Sequence, residues 1–194
     1  AYFLSEQLGK GQFIYTQTGG EQDPNSPIVL SLSESELEKM IDVPRLPTNP
    51  PVLNDGSIYN IKFVGEDLAT NKTESDVVEN VRYDITRPKI SISYPSGNTF
   101  FLGTEIGMEV SEDLLEAVLI WTRTGGLPDD GSPHRMPLSD VLLKKGTYQD
   151  APFPINESLN TSAIYTLSVE GKDFADNDVE PVSIQSVEYI RDMS

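Results

Sequence analysis

The sequence Gly65-Glu66-Asp67-Leu68-Ala69-Thr70-Asn71 recurs 106 residues later as Gly171-Lys172-Asp173-Phe174-Ala175-Asp176-Asn177. The same spacing aligns Ile58-Tyr59 with Ile164-Tyr165, and no gap is needed anywhere in the alignment. Of the 88 positions that overlap at this spacing, 26 are identical. Chance does not produce such agreement, so the chain contains two copies of one structural unit.

Short alternating segments separated by turn residues predict that each copy is an all-β sandwich. The most apolar of them, residues 117–122, is expected to be a central strand. The other strands predicted in the second copy are 89–94, 105–111, 164–171 and 182–189.

Other segments of the copies are less regular. Residues 138–143 are predicted to form either a strand or a short helix. Residues 39–57 and 145–163 differ most between the copies, so we interpret them as variable loops.

Two aromatic residues favour an immunoglobulin-like arrangement of the strands. Trp121 lies in the predicted central strand and Tyr165 begins the next long one, where such sandwiches carry a core tryptophan and a corner tyrosine. Tyr15 and Tyr59 occupy these positions in the first copy. The predicted fold class is all-β, with two tandem immunoglobulin-like β-sandwich domains at 1–86 and 87–194. The short linker, stiffened by a proline, predicts an end-to-end arrangement.

The first copy lacks the counterpart of residues 89–106, which include the predicted first strand of the second copy. Three explanations remain open. The chain is an excerpt from a longer array of repeats, the strand is dispensable or disordered, or another chain donates it.

The pattern Gly-x-Asp-x-Ala-x-Asn is followed in the first copy by Val81-x-Tyr83-Asp84-x-Thr86-x-Pro88. Together these motifs resemble the bacterial immunoglobulin-like (Big-type) repeats of large surface proteins and adhesins. Many of those repeats have the loop Asp-x-Ala-Gly-Asn, whereas this sequence has Thr70 and Asp176 in place of the glycine. The resemblance implies the sandwich fold and a structural, spacer-type role.

The charge of the chain restricts the partners it can have. The 31 acidic residues outnumber the 14 basic ones, which gives a net charge of −17. Such a surface repels nucleic acid and anionic membranes and attracts divalent cations. The sequence has no cysteine, and no stretch is apolar enough to span a membrane. Its first residues also lack the features of a signal peptide.

A calcium site is predicted at the junction of the two domains. In an immunoglobulin-like sandwich, the linker that leads into the domain lies at the same end as the loops after the second and sixth strands. Carboxylate and amide oxygens from these three segments suit Ca²⁺, which takes six to eight oxygen ligands. The predicted ligands are Asp84, Glu112, Asp113, Asp173, Asp176 and Asn177. The alternative is that Asp67 and Asp173 only bind backbone amides and shape their turns.

No catalytic residue and no organic cofactor are predicted. His134 is the only histidine, it has no counterpart in the first copy, and we interpret it as a solvated loop residue. Without cysteine or a second base placed near it, nucleophilic catalysis and histidine-rich zinc sites have no support.

The predicted function is that of a non-enzymatic structural or spacer repeat of a large bacterial cell-surface or adhesion protein, or of an extracellular fibre. Ca²⁺ would stiffen it, and neighbouring repeats of the same protein or fibre would be its partners. The alternatives are a carbohydrate- or protein-binding module that uses the loops 39–57 and 145–163, or an accessory domain of a secreted enzyme. The predicted location is extracellular or at the cell surface.

Overall fold

In the computed structural model, which describes residues 1–40, 44–103, 105–152 and 159–190, the strands follow the alternating segments of the sequence. The described residues contain one short 3₁₀ helix, Glu34–Glu36, and no helix long and apolar enough to span a membrane. The chain divides into two compact units, Ala1–Ile85 and Thr86–Ser194. The predicted domain boundary between residues 86 and 87 stays a prediction.

The strands of the second unit are β6 (Ile90–Tyr94), β7 (Phe100–Phe101), β8 (Glu105–Val110), β9 (Leu114–Gly126), β10 (His134–Pro137), β11 (Gly146–Pro152), β12 (Ala163–Asp173) and β13 (Val182–Tyr189). Among the residues that the structure describes, they form two antiparallel sheets with one added parallel strand. The larger sheet has the order β10-β9-β12-β13-β7, and the smaller has the order β11-β8-β6. Strand β7 pairs in parallel with β13.

The core of the second unit lies between these two sheets and is centred on Trp121 of β9, which is fully buried. The ring of Phe101 stacks on Trp121 with centroids 5.0 Å apart and planes at 18°. Tyr165 meets the same indole edge-on at 6.0 Å. Offset-stacked and edge-on contacts are the arrangements that aromatic rings prefer. The prediction that Trp121 is a core residue is therefore confirmed.

The strands of the first unit are β1 (Leu8–Gly20), β2 (Ile28–Ser31), β3 (Ser57–Asp67), β4 (Lys72–Glu74) and β5 (Val78–Arg82). Among the described residues they form one five-stranded sheet. Its order is β2-β1-β3-β4, and β5 also pairs with β3. The small buried cluster on this sheet includes Leu8, Leu37 and Met40.

Local hydrogen bonds recur in the two units at the spacing of 106 residues. The Ser26 hydroxyl accepts a hydrogen bond from the backbone N–H of Gln17 at 2.8 Å, and Ser132 accepts one from Arg123 at 2.7 Å. Each of these serines precedes a cis proline. The gapless alignment of the sequence thus corresponds to the same local structure in both units.

Two predictions about the irregular segments need correction. Residues 146–152, interpreted as variable loop, form β11 and pair with β8. Residues 138–143 form neither a separate strand nor a helix but a turn, in which Ser139 O accepts from the amides of Leu142 and Leu143. The parts of the predicted loops at 41–43 and 153–158 lie outside the described residues.

Candidate cation site and buried tyrosine–aspartate pairs

The Asp-x-Ala-x-Asn segments form the same tight turn in both units. The Asp173 carboxylate accepts hydrogen bonds from Ala175 N at 2.7 Å, from Asn177 N at 2.9 Å and from Asn177 Nδ2 at 2.8 Å. Asp67 accepts the three equivalent bonds in the first unit, all between 2.7 and 2.8 Å. Both aspartates therefore shape their turns, as the alternative to a calcium site requires.

Each of these turns contains one residue with a left-handed backbone conformation. These residues are Thr70 and Asp176, and their φ angles are +69° and +70°. A residue with a side chain is strained in this region, whereas glycine is not. Both turns thus form without the residue that their backbone favours.

Glu112 and Asp173 are the predicted ligands that the structure brings together within the second unit. Their nearest carboxylate oxygens lie within 4.8 Å of one another. Asp173 is buried, with 2% of its surface exposed, and Glu112 is half-buried. Two carboxylates at this separation repel each other, and a cation between them would relieve the repulsion.

The loops that carry these two residues meet the beginning of the second unit at one end of its sandwich. Lys89 N donates to Ser111 Oγ at 2.8 Å, next to Glu112. The Arg87 guanidinium donates to the carbonyls of Asp178 and Val179 at 3.0 and 3.1 Å, just beyond the Asp173 turn. The predicted common end of these segments is therefore observed.

The other predicted ligands have different surroundings. Asp113 pairs with Lys144 Nζ at 2.9 Å, Asp176 pairs with Lys172 Nζ at 2.9 Å, and Asn177 donates to Asp173. Asp84 belongs to the end of the first unit, where its carboxylate lies 3.4 Å from Arg82 Nε. The assignment of these residues as ligands stays a prediction.

A buried tyrosine–aspartate pair forms the corner of each unit. Tyr165 donates its hydroxyl hydrogen to Asp129 at 2.5 Å and accepts from Asn160 N, five residues upstream, at 2.9 Å. In the first unit Tyr59 donates to Asp23 at 2.5 Å and accepts from Asn54 N at 3.0 Å. Both tyrosines are fully buried. The predicted corner tyrosines are confirmed, but the aspartates that pair with them were not predicted.

His134 was predicted to be solvated, and this prediction is wrong. Only 7% of the surface of His134 is exposed. The residue begins β10, and its Nε2 lies 2.6 Å from Asp129 Oδ2. Residues Met136 and Leu138 alternate with it and are also buried. The sequence held a signal for this inward position, because Ile28 occupies it in the first copy.

The hydrogen bonds of the pairs stabilise the ionised aspartates. The Tyr59 hydroxyl, followed by the amide of Asn25, holds the pKa of the Asp23 carboxyl below its ordinary value. Burial raises the pKa of Asp129, but hydrogen bonds from Tyr165, His134 and Gly131 N outweigh burial and lower it overall. Burial, with the neighbouring Asp129, raises the pKa of Tyr165. Each pair therefore consists of a neutral phenol and a carboxylate at neutral pH.

The strand order and the corner tyrosines define the class of the molecule, which is an all-β, immunoglobulin-like β-sandwich protein. No protein-family model matches the chain, and a search of curated proteins finds no match. Among solved structures, the chain is similar to the fibronectin(III)-like modules of Clostridium thermocellum CbhA, at 13% sequence identity and a TM-score of 0.41. That similarity covers 98% of this chain and 83% of the other.

We predict that Tyr59→Phe makes the free energy of unfolding depend less on pH in the acidic range. The pKa of Asp23 is lower in the folded state than in the unfolded state. The ionised carboxylate therefore stabilises the folded protein fully above about pH 4, and this stabilisation is lost as the pH falls further. Without the hydroxyl, the folded pKa moves back toward its ordinary value. The free energy of unfolding, measured with urea, should therefore fall below that of the wild type at pH 7 and approach it near pH 2.

The equivalent change Tyr165→Phe is expected to cost roughly 1–3 kcal/mol at pH 7, because it leaves a buried hydrogen-bonding partner unsatisfied. The exposed Tyr94 provides the control. Tyr94→Phe should change neither the free energy of unfolding at pH 7 nor its dependence on pH. Equal losses for Tyr59→Phe at pH 7 and pH 2 would contradict the assignment of the pair.

Proposed function

We propose that the chain is a non-enzymatic structural segment, a spacer made of repeats, from a large bacterial cell-surface or adhesion protein. The observation that carries this proposal is the repetition of one structural unit after 106 residues. The hydrogen bonds of the corner tyrosine and of the Asp-x-Ala-x-Asn turn are the same in both units. Repeated units extend reach by addition, without requiring a new fold. The resemblance to Big-type repeats supports the same role, and immunoglobulin-like sandwiches typically contribute no catalysis of their own.

The charge of the chain supports an extracellular location in a crowded layer. A net charge of −17 keeps the protein solvated and makes parallel neighbours repel one another. The same charge attracts divalent cations, which are abundant outside cells. In this proposal, neighbouring repeats of the same protein are the partners of the chain.

Calcium would stiffen this spacer at the beginning of the second unit. Glu112 and Asp173 supply two carboxylates within 4.8 Å, and water would supply the remaining oxygens that Ca²⁺ requires.

We predict that millimolar CaCl₂ raises the melting temperature of the chain relative to EDTA. A cation that binds only the folded protein stabilises it by mass action. Glu112→Gln should abolish the increase, since it removes one charge and keeps the size of the side chain. Asp173→Ala should abolish it too, but it also breaks three hydrogen bonds of the turn.

The matched control is Asp67→Ala in the first unit, which breaks the equivalent turn. It should lower the melting temperature in both solutions and leave the increment due to calcium unchanged. An identical melting temperature in CaCl₂ and EDTA would refute the calcium site and leave both aspartates as turn residues.

A binding module is the second candidate, and two exposed apolar residues favour it. Leu46 is 75% exposed and Val52 is 90% exposed, both within the segment 39–57. A spacer should show no saturable binding to a panel of glycans and surface proteins. If the chain binds one of these ligands saturably, and the double substitution Leu46→Ser and Val52→Ser abolishes the binding, the chain is a binding module and not a spacer.

A further inference from the structure

The second unit contains one buried titratable side chain that the first unit does without. His134 begins β10, and 6% of its side chain is exposed. The first unit forms the same corner with Ile28 at this position. Histidine is the side chain whose charge ordinarily changes between about pH 5 and pH 8. The two units therefore differ in a group that responds to pH.

The contact with Asp129 determines which ring nitrogen carries a hydrogen atom. His134 Nε2 lies 2.6 Å from Asp129 Oδ2. Against the effect of burial, hydrogen bonds hold the pKa of Asp129 below its ordinary value, so at neutral pH its carboxylate is ionised and can only accept. Nε2 is therefore the donor, and Nδ1 is the nitrogen at which the ring takes up a further proton.

The edge of the ring that carries Nδ1 lies beside Gly131. A Cβ atom on this residue would stand 2.9 Å from Cε1 and 3.8 Å from Nδ1 of His134. Gly131 is exposed, so this edge of the ring lies close to the protein surface. The first copy has Asn25 in place of the glycine, so the histidine and the glycine that accommodates it occur together in the second copy.

The titratable side chains around His134 come from the preceding loop, from β12 and from β9. Burial raises the pKa of Tyr165 on β12, which is therefore neutral, and Asp130 in the loop is exposed. Arg123 on β9 donates to two backbone carbonyls of the chain that follows β9, both at 2.8 Å. Among the described residues, Asp129 has no lysine or arginine partner. While His134 is neutral, the buried group thus holds one negative charge without a cation.

We propose that His134 and Asp129 form a pH-responsive clamp on the corner of the second unit. A proton from the solvent adds to Nδ1, the bond from Nε2 stays in place, and the neutral hydrogen bond becomes an ion pair of imidazolium and carboxylate. A hydrogen bond between two ionised groups is stronger than one from a neutral donor, and here it also neutralises a buried charge.

The sign of the pH dependence follows from this proton uptake. The folded second unit binds a proton that the unfolded chain holds less strongly, so the clamp stabilises the unit increasingly as the pH falls from about 8 to about 5. Asp129 remains ionised in this range, because its pKa lies below the ordinary value. The first unit has Ile28 at this position and lacks the response. The clamp does not depend on calcium, so all measurements that test it are made in EDTA.

The first test is a nuclear magnetic resonance titration of the full chain, in which His134 gives the one histidine signal. At about pH 8 the nitrogen shifts should show hydrogen on Nε2 and none on Nδ1, and Nδ1 should become protonated toward pH 5 while the chain stays folded. Asp129→Asn removes the facing charge, so protonation should then need at least about a tenfold higher proton concentration. Hydrogen on Nδ1 at pH 8, or an unchanged titration in Asp129→Asn, would overturn the proposal.

The second test measures stability without relying on the Asp129 variant. Trp121 is the only tryptophan and lies in the core of the second unit, so its fluorescence follows the urea unfolding of that unit. His134→Gln keeps a neutral donor, and His134→Ile introduces the residue of the first copy. The midpoint of the wild type should exceed that of each variant by an amount that grows from about pH 8 to about pH 5. A difference that stays constant or shrinks toward pH 5 would contradict the clamp.

Discussion

Burial of one apolar sheet face is the constraint on which this fold depends, and the two units bury that face to different extents. In the second unit, Phe101 stacks on Trp121 and the two sheets enclose the core between them. The residues at the corresponding positions of the first unit are as apolar, yet Tyr15 and Ile61 keep part of their surface exposed. Apolar burial is the main favourable term in folding, so the same architecture is held together by different amounts of it in the two units.

The corner pairs contribute a polar constraint that both units share. A buried carboxylate is costly unless donors surround it, and each tyrosine supplies one such donor while it also accepts from a backbone amide upstream. The pair therefore fixes the path of the chain into β3 or β12. The two units differ around it, because His134 contacts Asp129 whereas Ile28 stands at that position in the first unit.

Much of the fold could be predicted from the repeat, because alternating apolar residues and turn residues are local features of the sequence. Strand β11 was missed, since its segment has little identity between the copies and only its pairing with β8 shows it. The calcium prediction depended on which way acidic side chains point. Asp113 and Asp176 lie beside Lys144 and Lys172, and whether an acid faces a lysine or a cation is decided by tertiary contacts that spacing does not encode. His134 was misjudged because its polar neighbours outweighed the evidence of Ile28.

The claim that the two units differ in how far their equivalent sheets are covered is tested most directly by residue-resolved hydrogen exchange of the wild-type chain. Ile61 and Leu167 are equivalent residues in the strands β3 and β12, and both strands pair on each side. If cover determines stability, the amide of Ile61 should exchange at least about tenfold faster than that of Leu167. Equal protection of the two amides, or slower exchange at Ile61, would contradict this account.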